Sequence, residues 1–187
     1  MESKEIRIPT LEQIEAELQR EQYKNRYGRV LRSTVFSLLV VAAVAVIIAV
    51  LVFPVLQISG TSMTDTLQDK DIVVAMNSSD YTTGDVIAFY YNNNILVKRV
   101  IAVTGDWVDI DEDGNVFVNG EMLDEPYISE KAFGDCNITL PYQVPDEKVF
   151  VMGDHRATSI DSRNKEVGCI GSELVVARIL FRVWPLG

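Results

Sequence analysis

Ser62, Lys98 and His155 are the side chains of this 187-residue chain best suited to nucleophilic chemistry. Ser62 lies in the run Gly60-Thr61-Ser62-Met63-Thr64-Asp65-Thr66-Leu67, six residues past the end of a long apolar stretch. A serine hydroxyl is a weak nucleophile until a base takes its proton. Two residues are candidates for that base: His155, the one histidine, and Lys98 in the run Ile95-Leu96-Val97-Lys98-Arg99-Val100-Ile101. Apart from Arg99, every neighbour of Lys98 in that run is aliphatic. Successive strand residues point to opposite faces, so Lys98 and Arg99 cannot both be well solvated if one face is core. Desolvation lowers a lysine pKa, and a neutral amine near pH 7 serves as a general base. The alternative is an edge strand whose basic residues discourage aggregation. The pattern alone does not choose between them. A histidine-based site would combine Ser62 and His155 with Asp154 or Asp161, but on a strand Asp154 and His155 would point apart.

Metal chemistry has little support. Two cysteines, Cys136 and Cys169, and one histidine make a structural zinc site improbable on ligand count. The cysteines could form a disulfide outside the cytoplasm or remain separate buried thiols, since sequence gives no distance between them. The run Asp109-Ile110-Asp111-Glu112-Asp113-Gly114 imitates the start of a calcium loop, but the twelfth position, which should be a bidentate glutamate, is Gly120. Asp113-Gly114 reads better as a hairpin turn between Val108–Ile110 and Val116–Val118. No cofactor or metal is expected.

The elements that must position these groups follow from hydropathy and charge. Val35 to Phe53 is apolar except for Ser37, and with Leu56 included the stretch reaches the roughly 20 residues that span a bilayer. It is longer than the core of a removable signal peptide. Arg20, Lys24, Arg26, Arg29 and Arg32 crowd its N-terminal side, whereas Asp65, Asp69 and Asp71 follow it. Basic excess marks the cytoplasmic side. The reading is therefore a cytoplasmic tail over 1–32, a transmembrane helix over 33–56 and an outer domain over 57–187. In the tail, Pro9-Thr10 with Gln13 suggests a helix start, and Leu11, Ile14 and Leu18 recur at helical spacing as a short amphipathic helix. It would dock to a partner or simply stand in solvent.

The net charge of −10 is uneven: residues 1–32 carry seven basic and six acidic side chains, and the rest of the chain holds the acidic excess. An acidic main domain excludes the basic face that nucleic acid requires. That domain reads as strands. Ile72–Met76, Asp85–Tyr91, Ile95–Val103, Lys148–Met152 and Leu174–Val183 are short β-branched runs bounded by turn residues. No long helix interrupts them, so a mainly β domain built on non-local pairing is expected.

Three of these segments resemble the conserved boxes of the bacterial type I signal peptidases, the leader peptidases, a Ser–Lys serine protease family. Gly60 to Leu67 resembles the serine box and Lys98 to Asp106 the lysine box. Gly153-Asp154-His155-Arg156-Ala157-Thr158-Ser159-Ile160-Asp161-Ser162-Arg163 resembles the C-terminal box. Order, spacing and preceding anchor fit the short Gram-positive type, and the likeness covers about residues 30–187. It implies a coiled antiparallel β-sheet catalytic domain behind one N-terminal transmembrane helix. It also implies that Ser62 attacks and Lys98 takes the proton. Ser159 would orient the amine, Asp161 and Arg163 would form a supporting ion pair, and Asp154 would hold the loop. The oxyanion would be met by backbone donors at Ser62 and near Gly60.

The implied substrates are secretory precursors, cut at the outer membrane surface near the Sec translocon, with small side chains one and three residues before the cut. Ile58, Met63 and the aliphatics around Lys98 are the candidate pocket walls. Three positions depart from the family pattern. Asp65 and Thr104 stand where proline is usual, and His155 where asparagine is usual. A carboxylate at Asp65, if close to Lys98, would favour the charged amine and weaken the base. Other readings remain at this stage. One is a self-cleaving regulator of similar fold, which would need a DNA-binding module. Another is an inactive homologue serving as an outward-facing β adaptor.

Overall fold

The computed structural model describes residues 10–78 and 80–185. The chain divides at Val50–Leu51 into two units. The first is dominated by helix α1 (Leu11–Val52), 42 residues long, or about 63 Å at 1.5 Å per residue. Its N-terminus is capped as the Thr10/Gln13 spacing suggests. Gln13 Oε1 accepts the Thr10 N–H at 3.1 Å and the Thr10 carbonyl accepts the Ile14 N–H at 3.0 Å. Pro9 lies outside the described residues. The tail segment and the apolar span are one continuous helix rather than two. Leu11, Ile14 and Leu18 are exposed on it. The helix is long and apolar enough to cross a membrane, with a mean hydropathy of 3.3 over its most apolar 18 residues.

The helix stops at Val52, short of the expected Leu56. Pro54 explains this: proline lacks the N–H of the next helical hydrogen bond, and it pushes the preceding residue, Phe53, out of the α region. Val55 and Leu56 instead open strand β1 (Val55–Gln57) of the second unit.

Among the described residues the second unit holds ten further strands. They are β2 (Ile72–Met76), β3 (Val86–Tyr91), β4 (Asn94–Ala102), β5 (Trp107–Ile110), β6 (Val116–Val118), β7 (Glu121–Met122), β8 (Tyr142–Gln143), β9 (Lys148–Met152), β10 (Ile170–Gly171) and β11 (Val175–Trp184). All pairings are antiparallel. One sheet runs β1-β2-β11-β3-β4-β9-β10 and the other β7-β6-β5-β8. This is the mainly β architecture anticipated from the strand runs. The two-residue turn between β3 and β4 uses Asn92 and Asn93 at φ 45° and 66°, the left-handed geometry that matches hairpin twist. Asp109 and Asp111 sit on the β5–β6 hairpin, where the Asp111 carboxylate accepts the Asn115 N–H at 2.8 Å.

Three apolar clusters hold the unit together. Ile101, Val108, Val116 and Phe150 tie β4 and β9 to the smaller sheet. Ile87, Phe89, Val100 and Val151 pack under β3, β4 and β9. Ile58, Met63, Leu67, Val73 and Val86 form the third. This last cluster fixes the serine segment, because Met63 and Leu67 bracket it and are both buried. Burying such a side chain is worth about 1.5–3 kcal/mol.

Candidate active site

Ser62 rides on a turn closed at its base by backbone bonds. Ile58 N–H donates to Asp71 O at 2.8 Å and Lys70 N–H to Ile58 O at 2.9 Å. Lys98 lies mid-β4, opposite Ile87 of β3. Both Lys98 and Arg99 are buried, at 3% and 8% exposure, so neither belongs to a solvated edge. They are accommodated differently. Arg99 is neutralised by Asp154, which takes its Nε at 2.9 Å and its Nη2 at 2.6 Å. Among the described residues Lys98 Nζ has no carboxylate partner and donates to Ser159 Oγ at 2.9 Å. Burial therefore dominates and lowers the Lys98 pKa to about 8. Asp161 pulls against it, Arg163 pushes the same way as burial, and Asp154 pulls against it again.

Ser62 and Lys98 line one cleft of about 480 Å³, with Gly60, Thr61, Leu96 and Thr158 among the other walls. Among the described residues no direct hydrogen bond joins the Ser62 hydroxyl to the Lys98 amine. Such bonds commonly close only when substrate is bound. The C-terminal loop backs this cleft. Asp161 and Arg163 form a bidentate, fully buried pair, Nε to Oδ1 and Nη2 to Oδ2, both at 2.9 Å. Asp161 Oδ2 also accepts the Gly153 N–H at 2.9 Å. Asp154 reaches the serine turn as well, accepting the Thr66 hydroxyl at 2.5 Å. The histidine-based arrangement is not assembled: the His155 ring bonds Thr158 Oγ1 at 2.5 Å, and only its backbone N–H meets the Ser62 carbonyl, at 3.1 Å.

One expectation needs correction. The Gly60 N–H is not a free oxyanion donor, because it already donates to Asp69 Oδ1 at 2.9 Å. The Ser62 N–H has no protein acceptor among the described residues. Asp65 is not a charge beside Lys98, since its carboxylate bonds Ser129 N and Oγ at 2.9 and 2.7 Å. Its φ of 97° is also a conformation proline cannot adopt. Cys136 and Cys169 are free thiols, and burial pushes Cys169 up to about 11.

Several partners escaped sequence reasoning. Glu125 pairs with Arg156 in full burial. The Tyr127 ring lies 3.8 Å beneath the Arg99 guanidinium, and its hydroxyl bonds Glu125 at 3.0 Å. Two arginines in the recognised boxes were the available signal, because a buried guanidinium needs a carboxylate. Nothing local marked Glu125 as the one.

The chain matches the family described as "Signal peptidase, peptidase S26" over residues 31–184. It is 38% identical over 136 residues to signal peptidase I of Bacillus amyloliquefaciens, covering 65% of this chain and 73% of that one. It is likewise 38% identical over 150 residues to signal peptidase IB of Staphylococcus aureus, covering 68% and 76%. A solved signal peptidase I from Enterococcus faecalis V583 aligns at TM-score 0.46 and 26% identity, over 55% of this chain and 97% of that one. These relationships make the protein a serine endopeptidase. The chain belongs to the signal peptidase, peptidase S26 family, as a type I signal peptidase.

The packing around Gly153 yields a first prediction. A Cβ there would fall well inside contact distance of the Ser159 hydroxyl and the Ser62 carbonyl. The Ser62 carbonyl is backbone and the Ser159 Cβ is also within 2.6 Å, so rotating the Ser159 hydroxyl does not relieve the contact. Gly153→Ala should therefore lower precursor cleavage by roughly tenfold or more, since small misplacements of reacting groups are costly. Its thermal midpoint should also fall. Parent-like values in a cleavage assay and a melting curve would show that the loop yields without consequence.

Proposed function

We propose that Ser62 is the nucleophile and Lys98 the general base of a signal peptidase acting at the outer membrane surface. The observation that carries this reading is the buried, carboxylate-free Lys98 amine lining the same cleft as Ser62. Ser62 Oγ attacks the scissile carbonyl carbon while its proton passes to the neutral Lys98 Nζ. The Ser62 N–H, free of a protein acceptor, meets the developing oxyanion. Lys98 then returns the proton to the departing amine as the C–N bond breaks. A water activated by the same amine hydrolyses the acyl-enzyme. Ser159 holds the amine in place. Asp161 with Arg163, and Asp154 with Arg99, hold the loop that carries Ser159 against the strand that carries Lys98.

The substrate groove follows from strand edges. Among the described residues β1 pairs only with β2, and the pairing of β4 with β9 begins at Arg99, which leaves one edge of Ile95–Val97 open. Between these edges lies a second hollow of about 170 Å³, walled by Leu56, Ile58, Met63, Ile95, Val97 and Ser62 among others. An extended precursor segment would add to such an edge by main-chain bonds. A hollow of this size suits the small residues before a signal-peptide cut. Tail inside and catalytic unit outside is the orientation favoured by the basic flank of α1. It would bring the site to precursors leaving the Sec translocon within the lipid bilayer.

The test is cleavage of a secretory precursor by the full chain in detergent. Product N-termini should follow small residues at the first and third positions before the cut. Ser62→Ala should leave the precursor intact, whereas His155→Ala should cleave. Equal processing by parent and Ser62→Ala would remove Ser62 from the mechanism.

A further inference from the structure

Residues 123–135 form an irregular strap that touches all three segments of the site. Glu125 grips Arg156 of the C-terminal loop, and Tyr127 lies under Arg99 of β4. The Ala132 and Phe133 carbonyls accept Arg163 Nη1 at 3.2 and 2.9 Å. The serine turn is reached through Asp65, whose Oδ2 takes both the N–H and the hydroxyl of Ser129, 64 residues away.

From this geometry we infer that Asp65 is a positioning residue for Ser62. Its carboxylate clasps the nucleophile's turn to a strap that is itself pinned to the lysine strand and the Ser159 loop. The inference rests on the Ser62–Lys98 reading.

Three observations carry it. Asp65 sits at φ 97°, a conformation costly to any side chain and kept only where the surroundings over-determine it. Both Ser129 bonds do so. The bonds also favour the ionised carboxyl: the Ser129 N–H, then its hydroxyl, hold Asp65 below the usual carboxylate range. Finally, the next residue, Thr66, is tied the other way, its hydroxyl donating to Asp154 at 2.5 Å and accepting Arg99 Nη2 at 3.0 Å. Consecutive residues just past Ser62 are thus anchored to the strap and to the Arg99–Asp154 pair. Asp65 is exposed, and Met63 and Leu67 already bind the turn to the core. Loss of the clasp should therefore move the nucleophile without unfolding the unit.

The experiment compares the parent with Asp65→Ala, Asp65→Asn, Ser129→Ala and the double Asp65→Ala/Ser129→Ala, as full chains in detergent on one precursor. Asp65→Ala should lower kcat about tenfold, the scale of a displacement well under 1 Å, with KM and thermal midpoint near parent values. Asp65→Asn keeps an acceptor oxygen and should stay within about threefold, since charge-assisted bonds are roughly twice as strong as neutral ones. Ser129→Ala keeps the N–H bond and should lose about threefold. The double variant should match Asp65→Ala. Parent-like kcat in Asp65→Ala, additive losses in the double, or losses that track the melting temperature would each overturn the clasp. With Ser62→Ala inactive, those outcomes leave the Ser62–Lys98 reading intact. Cleavage by Ser62→Ala at the parent rate would overturn both.

Discussion

Replacing Lys98 by methionine is expected to lower kcat/KM by at least about 10³-fold while leaving the protein folded. General-base catalysis typically contributes 10²–10⁴-fold. Methionine keeps most of the apolar stem and deletes only the amine, which is buried without a carboxylate partner. No charged group is orphaned, so the melting temperature should hold or rise. The same amine sets the pH response. Its pKa of about 8 results first from burial, which disfavours the charged form. With the neutral amine as the proposed base, parental kcat/KM should climb with pH through about 8 and level off above it. At pH 7 about a tenth of the amine is in the active form, which follows from one unit of separation between pH and pKa. A rate profile flat from pH 6 to 9, or a Lys98→Met protein that cuts at the parental rate, would rule out this lysine as the base.

Removing the Arg163 guanidinium should give the largest loss of stability. Arg163 is fully buried, and besides its two bonds to Asp161 its Nη2 donates to the Arg156 carbonyl at 2.9 Å. Its Nη1 holds the two strap carbonyls of Ala132 and Phe133. Arg163→Met leaves Asp161 as a buried, uncompensated charge, a situation that costs about 3–5 kcal/mol. For a unit of this size the thermal midpoint should fall by roughly 10–20 °C. Arg163 also helps keep Lys98 neutral, whereas Asp161 acts the other way. In any fraction that stays folded, the rate profile should therefore shift to higher pH. Adding Asp161→Asn to Arg163→Met should recover part of the stability, because the orphaned charge is gone. A melting curve unchanged in Arg163→Met would contradict the pair's structural role, and further loss in the double variant would contradict the orphan-charge account.

Much of this was legible in the chain, for identifiable reasons. The β4 run announced itself by its aliphatic neighbours and made its lysine conspicuous, but burial rather than an exposed edge follows only from the pairing of β4 with β3 and β9. The hairpin turn at Asp113-Gly114 and the capped start of α1 are local, so sequence carries them. The end of α1 was misplaced by four residues because hydropathy was followed past Pro54, where backbone chemistry overrules it. Gly60 was assigned a donor role from the family resemblance alone. The competing carboxylate of Asp69, nine residues on, was invisible to that reasoning. The Glu125–Arg156 and Asp65–Ser129 pairs were illegible for a stronger reason. They join residues 31 and 64 positions apart, and no periodicity encodes such a contact.

The placement of β11 bears on when this protease becomes dangerous to its surroundings. β2 and β3 do not pair with each other; each pairs with β11, which lies between them in the larger sheet. The serine turn leads into β2, and the lysine strand pairs with β3. The two halves of the site are therefore sewn together by a strand spanning Val175–Trp184. During synthesis at about 5–20 residues per second, the Ser62 segment emerges several seconds before that strand. Long-range β pairing is also intrinsically slow to form. Chain order thus works as a timer: the candidate site stays unassembled until the segment that forms β11 has been made.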